Sequence, residues 1–424
     1  MKNTCKTIYD VIIIGAGASG MMAAITAARE GARVLILEHK DKIGKKILAT
    51  GNGKCNYTNS DMSASKYNGN LELVRSVLSK FSFEQTIEFF NGLGIYPKSK
   101  NGYYYPNSEQ AQSILTALMF ELQKLHIKVC TLIDIRDIDK HKGTFEVYTS
   151  DDVFYSKKLI IATGLLANPK LGSDGSIFKI VKELGHRFTP IVPALCGFYC
   201  SGLDFKKASG VRTDGEVLAY VDGKLVASDR GEIQFTDYGI SGIPVFQISH
   251  FLSYALYNKQ KCEVKINFFP DITHDKLIDF LIHRRDEVLS EVCALDFMNG
   301  VINQKLAKAL LAKVGILYEI KAAKISDGDI KKLTNILTSA TVRVEKWRDY
   351  EFAQVCAGGI RTEDIDISSL ESKIVEGLYF AGEILDVDGI CGGYNLQWAW
   401  ASGFVAGSSK QEYYVKNKSD KASN

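Results

Sequence analysis

The sequence predicts an α/β fold in which a parallel sheet with flanking helices is assembled from both ends of the chain and interrupted by a strand-rich insertion. Three observations predict it. Residues 9–38 read as strand, glycine-rich turn, helix, strand and acid. Short apolar strands recur at Lys158–Ile161 and Gly377–Ala381, each opening onto small residues. From about residue 190 to 340 the pattern changes to strand and turn and then to helix, with no internal repeat and no low-complexity linker. A chain of 424 residues has room for about two or three domains.

The first segment carries the most information. Val11–Ile14 is a continuous apolar run, as a parallel strand buried on both faces requires. Gly15, Gly17 and Gly20 follow as GxGxxG. Gly15 permits the tight turn, Gly17 lets the backbone approach a pyrophosphate, and Gly20 lets the next helix pack closely on the sheet. That helix turns its unpaired N–H groups and positive dipole end toward the phosphates. A second strand, Val34–Leu37, ends at Glu38, 18 residues beyond Gly20, where a carboxylate accepts hydrogen bonds from an adenosine ribose. This half of the chain is therefore expected to be Rossmann-like and to bind an adenine dinucleotide.

The remaining elements follow in order. A Gly- and Asn-rich loop covers 45–59, and helical periodicity covers 71–93 and 109–125. Cys130–Ile138 and Thr144–Thr149 read as strands joined by a turn at Lys142-Gly143. Ile191–Cys200, Gly215–Val221 and Lys224–Ser228 read as strands, with Asp222-Gly223 as a two-residue hairpin turn. Cys262–Phe268 is a further strand, and 274–338 is mostly helical with breaks near 299 and 315. The expected division is a nucleotide-binding domain from 1–190 and 340–411, an insertion at 191–339 (β-rich over 191–272, mainly helical over 273–339), and a polar tail at 412–424 that frays.

Composition narrows the function classes. Hydrophobic content of 46% and charged content of 24% are those of an ordinary globular protein. A net charge of +3 gives no electrostatic argument for nucleic acid or a membrane surface. No apolar run reaches the ~20 residues that span a bilayer. The opening MKNTCKTIYD passes straight into the first strand without a signal-peptide pattern, so a cytoplasmic location is expected. Nine scattered cysteines include no CxxC, and Cys196 and Cys200 would share one face of a strand, so reduced thiols are expected. The seven histidines form no HxH or HxxxH pair, and no metal site is assigned.

Four segments carry chemistry. The fingerprint is the first. The second is Thr50-Gly51-Asn52-Gly53-Lys54-Cys55-Asn56, whose glycines, amides and cation can cradle an anion or the polar edge of a ring. The third is Ala162-Thr163-Gly164, at the carboxyl end of a strand, where ligands lie in doubly wound sheets. The fourth pairs Gly382-Glu383 with Gly392-Gly393-Tyr394-Asn395, a helix entry whose dipole would stabilise negative charge on a reduced flavin. In this order the segments match a flavoprotein of the two-dinucleotide-binding-domain type.

More narrowly, the chain resembles the HI0933-like (BaiN-type) flavoproteins, a family that includes bile-acid-pathway flavoproteins and bacterial aminoacetone oxidases. The resemblance rests on GAGASGMMAA (15–24), GKKILATGNGKCNYTN (44–59), ATGLLANPKLGSDG (162–175), GEIQFTDYGISGIPVFQIS (231–249), AQVCAGGI (353–360) and GLYFAGEILDVDGICGGYNLQWAWASG (377–403). It implies FAD bound by a Rossmann-like domain, with an inserted domain of β-barrel character carrying a small helical part. By resemblance, Gly15, Gly17, Ser19 and Gly20 hold the pyrophosphate and Glu38 the adenosine ribose. Lys46, Leu48, Gly51, Gly53, Lys54, Cys55 and Asn56 line the flavin side, and Ile135 flanks the adenine. Thr163 and Gly164 approach the nucleotide, Gly382 and Glu383 the ribityl chain, and Asn395 and Leu396 the pyrimidine edge. The chain departs from the family pattern at Lys54, where Arg is usual, and at Asn52 and Leu165, where glycine is usual. A Gly-Arg-x-Phe-Pro block reads Gly102-Tyr103-Tyr104-Tyr105-Pro106, which removes an anion-binding Arg and adds aromatic surface.

Among single residues, Cys55 and Cys391 read as packing thiols in preference to redox groups. Tyr394 has two readings, proton donation to a substrate or stacking. Tyr103–Tyr105 and His250 read as core, and Ser241 has no visible base. No side chain is assigned as a catalytic acid. The expected function is an FAD-dependent oxidoreductase that reduces an activated C=C bond in a hydrophobic small molecule, with NAD(P)H as a transient electron donor because only one fingerprint is present. The alternatives are an oxygen-using amine oxidase, an FAD-dependent RNA-modifying enzyme and a non-catalytic flavin sensor. The sequence sets no oligomeric state.

Overall fold

The computed structural model describes residues 7–408, so Cys5 and the polar tail expected at 412–424 lie outside the described residues. The described residues divide into two compact units, 7–191 with 354–408 and 192–353.

The first unit is built on a mixed sheet. β1 (Ile8–Ile14) leads through the Gly15–Gly17 turn into α1 (Ala18–Arg29), and β2 (Val34–Leu37) follows. β1 runs parallel to β2, with Ile14 opposite Leu37. Every β2 residue is buried, as the apolar run requires of a central strand. The periodic stretch 71–93 is two helices, α2 (Leu71–Lys80) and α3 (Phe83–Gly92), because Ser82 caps α3 in a reciprocal capping box with Gln85. α4 (Ala111–Lys124) packs near α1. Beyond it, the single strand expected at Cys130–Ile138 is instead two. β3 (Lys128–Cys130) pairs in parallel with β2, while β4 (Ile135–His141) forms a hairpin with β5 (Thr144–Thr149). Leu132 breaks the run at φ 60°, and Leu132 N and Ile133 N donate to Lys40 O and Glu38 O, which folds the segment back over the end of β2. β6 (Val153–Ile161) is shared: Val153–Ser156 pairs antiparallel with β5, and from Tyr155 to Ile161 the strand runs parallel to β1.

The second unit is a closed six-stranded antiparallel barrel with helices. Its strands are β7 (Phe198–Ser201), β8 (Arg212–Val221), β9 (Lys224–Phe235), β10 (Gly239–Gly242), β11 (Cys262–Asn267) and β12 (Ala340–Trp347), closed in the order β7-β10-β9-β8-β11-β12. Alternation fills the interior: Val217 and Ala219, Val264 and Ile266, and Val342 and Val344 are buried while their neighbours face outward. Asp222 and Gly223 both have positive φ, which the tight β8–β9 hairpin demands. Three corrections arise here. Ile191–Cys200 is not one strand, because Leu195 adopts φ 50° and donates its N–H to Ser249 Oγ. The strand expected at Lys224–Ser228 continues to Phe235. The segment after 340, expected to rejoin the nucleotide-binding portion, supplies β12 to the barrel, where it pairs with β7 and β11. The apolar helix α5 (Ile243–Tyr257) packs on the barrel strands, and α6 (His274–His283), α7 (Gln304–Val314) and α8 (Asp327–Ser339) form the helical part.

Returning to the first unit, β13 (Leu378–Phe380) runs parallel to the second half of β6, with Ile161 opposite Phe380. α9 (Tyr394–Gly407) then crosses α1 at close range. A Cβ on Gly403 would lie 2.4 Å from Ser19 O, and one on Gly407 2.4 Å from Ala23 O. The two helices approach this closely only because those positions are glycine.

Candidate functional site

β1, β2, β6 and β13 all point their carboxyl ends to one edge of the sheet, so Gly15, Glu38, Ala162-Thr163-Gly164 and Ala381-Gly382-Glu383 converge there. The cleft along this edge has an empty space of about 1330 Å³ with its open mouth included.

Gly15 turns the chain at φ 101°, and a Cβ there would press to 2.6 Å from Ala162 O. Gly17 is the N-cap of α1 and has no side-chain cap. It faces open space, since a Cβ added there would meet nothing within 4 Å. The first turn of α1 contains no acid, so its N–H groups and dipole are available to an anion. α9 begins in the same way, with Gly393 as an N-cap lacking a side-chain bond and no acid in the first turn. Both helix ends line the cleft, through Ala18 and Ser19 on α1 and Asn395 and Leu396 on α9.

Glu38, 9% exposed, lines the cleft with each carboxylate oxygen accepting a backbone N–H: Oε2 from Ala16 at 2.7 Å and Oε1 from Lys40 at 2.8 Å. Those bonds hold the carboxylate against the fingerprint turn. Ile135 lies beside it in the cleft with Ile133 and Asp134. At the other end, Glu383 Oε2 pairs with Lys46 Nζ at 2.6 Å, and its Oε1 accepts from Cys356 N at 2.8 Å. Asn395 is fixed by bonds to both Gly389 N and Gly389 O.

The structure brings Gly15, Gly17, Ser19, Glu38, Lys46, Ile135, Thr163, Gly164, Glu383, Asn395 and Leu396 to this cleft. The other expected residues lie elsewhere. Gly20 packs under the turn, where a Cβ would stand 1.9 Å from Gly15 O, and Gly382 packs against Ser19. Leu48, Gly51, Gly53 and Lys54 are exposed, and Lys54 pairs with Glu109 at 2.9 Å. Cys55 is fully buried and its thiol is pushed up to about 12 by desolvation, so it is protonated and unreactive. Asn56 does not line the cleft; its buried Oδ1 has no hydrogen-bond partner and faces Gly393. Tyr394 is 4% exposed, donates to Asp61 O at 3.2 Å, and is pushed up to about 12 by burial, which favours the stacking role. His39, Lys42, Gln354, Val355 and Trp398 also line the cleft. His39 and Lys42 follow Glu38 directly and could have been found from that adjacency, whereas Gln354 and Trp398 carry no local signal.

Two uncapped helix ends, a cradle open at Gly17 and a buried acid beside it are the parts of a protein that binds a dinucleotide, and the residues present fit FAD. A sequence profile described as the HI0933-like protein Rossmann domain matches residues 9–409, and the chain belongs to that family. It is 41% identical over 403 residues to the 3-dehydro-bile acid delta(4,6)-reductase of Clostridium scindens, covering 94% of this chain and 98% of the relative. It is 30% identical over 406 residues to the ribosomal RNA dihydrouridine synthase of Haemophilus influenzae, covering 94% and 97%. Among solved structures, 3-ketosteroid delta1-dehydrogenase from Sterolibacterium denitrificans aligns with a TM-score of 0.49 at 12% identity, covering 94% of this chain and 98% of that one. The protein is an FAD-dependent oxidoreductase. Among the described residues, no helix is long and apolar enough to cross a membrane.

Proposed function

We propose that this enzyme reduces a C=C bond conjugated to a carbonyl in a hydrophobic small molecule, with NAD(P)H as the electron donor. The observation that carries the reading is the 41% identity, over nearly the full length of both chains, to a reductase named for such a bond in a 3-dehydro bile acid. The reading gives each cleft group a task. The N–H groups at the start of α1 and the open backbone at Gly17 take the pyrophosphate, Glu38 takes the adenosine ribose, and Ile135 lies against the adenine. Lys46 and Glu383 hold one another beside Thr163 and Gly164, and the α9 N-terminus places its dipole toward the pyrimidine edge. FAD, when bound, supplies hydride transfer. The eight described cysteines are all free, which supports a reducing, cytoplasmic setting.

A second reading has its own support. Relatives at 29% and 30% identity are ribosomal RNA dihydrouridine synthases, whose name also describes saturation of a carbonyl-conjugated C=C bond. The weak net charge of +3 favours the small molecule. The deciding experiment reduces the purified yellow protein anaerobically with NADH or NADPH, then adds candidate acceptors. Recovery of colour with a steroid enone is expected. Recovery with oxygen alone would favour an oxidase, dihydrouridine appearing in added ribosomal RNA would favour the second reading, and failure of both nucleotides to bleach the flavin would sink the NAD(P)H assignment.

A further inference from the structure

The polar side chains that line the cleft differ in how much of their hydrogen-bonding capacity the protein itself consumes. Lys46 Nζ and Glu383 Oε2 face one another at 2.6 Å, and Glu383 Oε1 accepts from Cys356 N at 2.8 Å. Thr50 Oγ1 donates to Ile47 O at 2.6 Å, and Trp398 Nε1 donates to Gly382 O at 3.1 Å. Two carboxamides line the same cleft, and they are opposites. Asn395 is engaged at both ends, its Oδ1 accepting from Gly389 N at 2.8 Å and its Nδ2 donating to Gly389 O at 2.7 Å. Gln354 is exposed and lines the cleft, and among the described residues no hydrogen bond engages its carboxamide.

The backbone of Gln354, by contrast, is held. It leads into the short strand Val355–Ala357, in which every residue is buried. Val355 lines the cleft beside it, and Cys356, two residues on, holds Glu383 through its N–H. The Gly382–Ile384 turn that carries Glu383 packs in turn on α9, through the Trp398 bond to Gly382 O. Gln354 therefore belongs to the end of the cleft formed by Lys46, Glu383 and the start of α9. Its Nε2 offers two N–H donors and its Oε1 two lone pairs, and none of them is used by the protein. Being uncharged, a carboxamide can lie against a ring system without the desolvation cost of an ion.

We propose that Gln354 tunes the cofactor: its Nε2 donates a hydrogen bond to the polar edge of the FAD isoalloxazine and thereby favours the reduced form. Reduction by two electrons leaves that edge richer in negative charge, and a donated hydrogen bond strengthens as its acceptor gains charge. The inference rests on the flavin ring lying at the Asn395 end of the cleft. It does not depend on which acceptor the enzyme reduces.

The test is a spectroelectrochemical titration of holoenzyme, comparing wild type with Q354L and Q354E in the absence of any acceptor substrate. Loss of the donor in Q354L is expected to weaken binding of reduced relative to oxidised FAD by about tenfold, which lowers the two-electron potential by about 30 mV. Q354E removes the donor and adds a negative charge, so its potential is expected below that of Q354L. The melting temperature of the flavin-free protein should be unchanged in both, because the side chain is exposed and bonds to no protein group. Equal potentials in wild type and Q354L, or a Q354E potential at or above that of wild type, would overturn the assignment. A change confined to KM for an acceptor would overturn it as well, by moving the carboxamide to the substrate. The placement of the ring is checked separately with an azido-FAD that carries its azide on the isoalloxazine, photolysed in the reconstituted protein and mapped by mass spectrometry. Labelling of the 46–50 or 395–398 peptides is expected. Such labelling with an unshifted potential would sink the tuning role alone, whereas labelling of Ile133–Ile135 would sink the placement and the proposal with it.

Discussion

Replacing Gly403 with alanine tests whether the close crossing of α1 and α9 builds the cofactor cleft. The added Cβ would stand 2.4 Å from Ser19 O and 3.0 Å from Met22 Cβ, about 1 Å short of ordinary contact with the carbonyl. The obstructing atom belongs to a helix backbone and cannot rotate away. The strain therefore falls at the upper end of overpacking costs, about 3 kcal/mol, against a helix-propensity gain of about 1 kcal/mol for Gly→Ala. The net loss of about 2 kcal/mol corresponds to a fall in melting temperature of about 4–8 °C. Relief by separating the helices would also shift the N-termini of α1 and α9, both of which line the cleft, so flavin retention should fall with stability. Gly92→Ala is the control: it ends the exposed face of α3, nothing lies within 4 Å of its Cβ position, and it should be neutral or stabilising by up to about 1 kcal/mol. Thermal unfolding and the flavin-to-protein absorbance ratio read both effects. A Gly403→Ala protein with wild-type melting temperature and full flavin content would refute the reasoning.

Three further outcomes are expected. Gly17→Val should remove the yellow colour from protein that still folds, because the Cβ position opens into the cleft with nothing within 4 Å, at the cost of only a small fall in the unfolding temperature of the flavin-free protein from the poorer N-cap; retention of colour would contradict the fingerprint assignment. His186 is buried, its Nε2 lies 2.7 Å from Ser372 Oγ, and that oxygen already accepts from Ile374 N and Val375 N, so the hydroxyl proton goes to a neutral imidazole. Burial lowers the His186 pKa below the ordinary 6.5, so the unfolded chain takes up the proton first. Stability from the neutral ring is whole above that value and is lost as pH falls through it, and denaturant titrations of His186→Gln should show a flatter slope between about pH 7 and 5; an unchanged slope would rule the residue out. Finally, Cys55 and Cys196, both pushed up to about 12 by burial, should resist alkylation in the native protein while half-buried Cys130 and Cys293 label first, as mass spectrometry would show. Early labelling of Cys55 would mean that the 50–56 loop opens.

Much of the cofactor end was legible because its signals are local. The apolar run of β1, the glycines at 15 and 17 and the acid ending β2 each act within a few residues, and Gly15, Gly17 and Glu38 do meet in the cleft. The 50–56 loop was less legible. Asn52 and Cys55 adopt positive φ, and Lys54 turns outward to Glu109, a partner 55 residues away that no spacing rule reveals. Leu132 and Leu195 broke strands that apolar alternation had run together, because hydrogen bonds to Lys40 O and Ser249 Oγ outweighed β propensity.

By itself the sequence determined the β1-turn-α1-β2 unit ending at Glu38, the start of α9 behind paired glycines, and the family to which the chain belongs. Period, turn chemistry and glycine placement are short-range properties, and they agreed with one another over those stretches. The tertiary structure alone decided that β12 belongs to the barrel, that Lys46 meets Glu383 across 337 residues, and that Tyr199, Tyr238 and Phe352 gather around Arg348. Such pairings depend on which surfaces the packed elements bring together. A residue's own window encodes its conformation and burial but not the distant group that will face it.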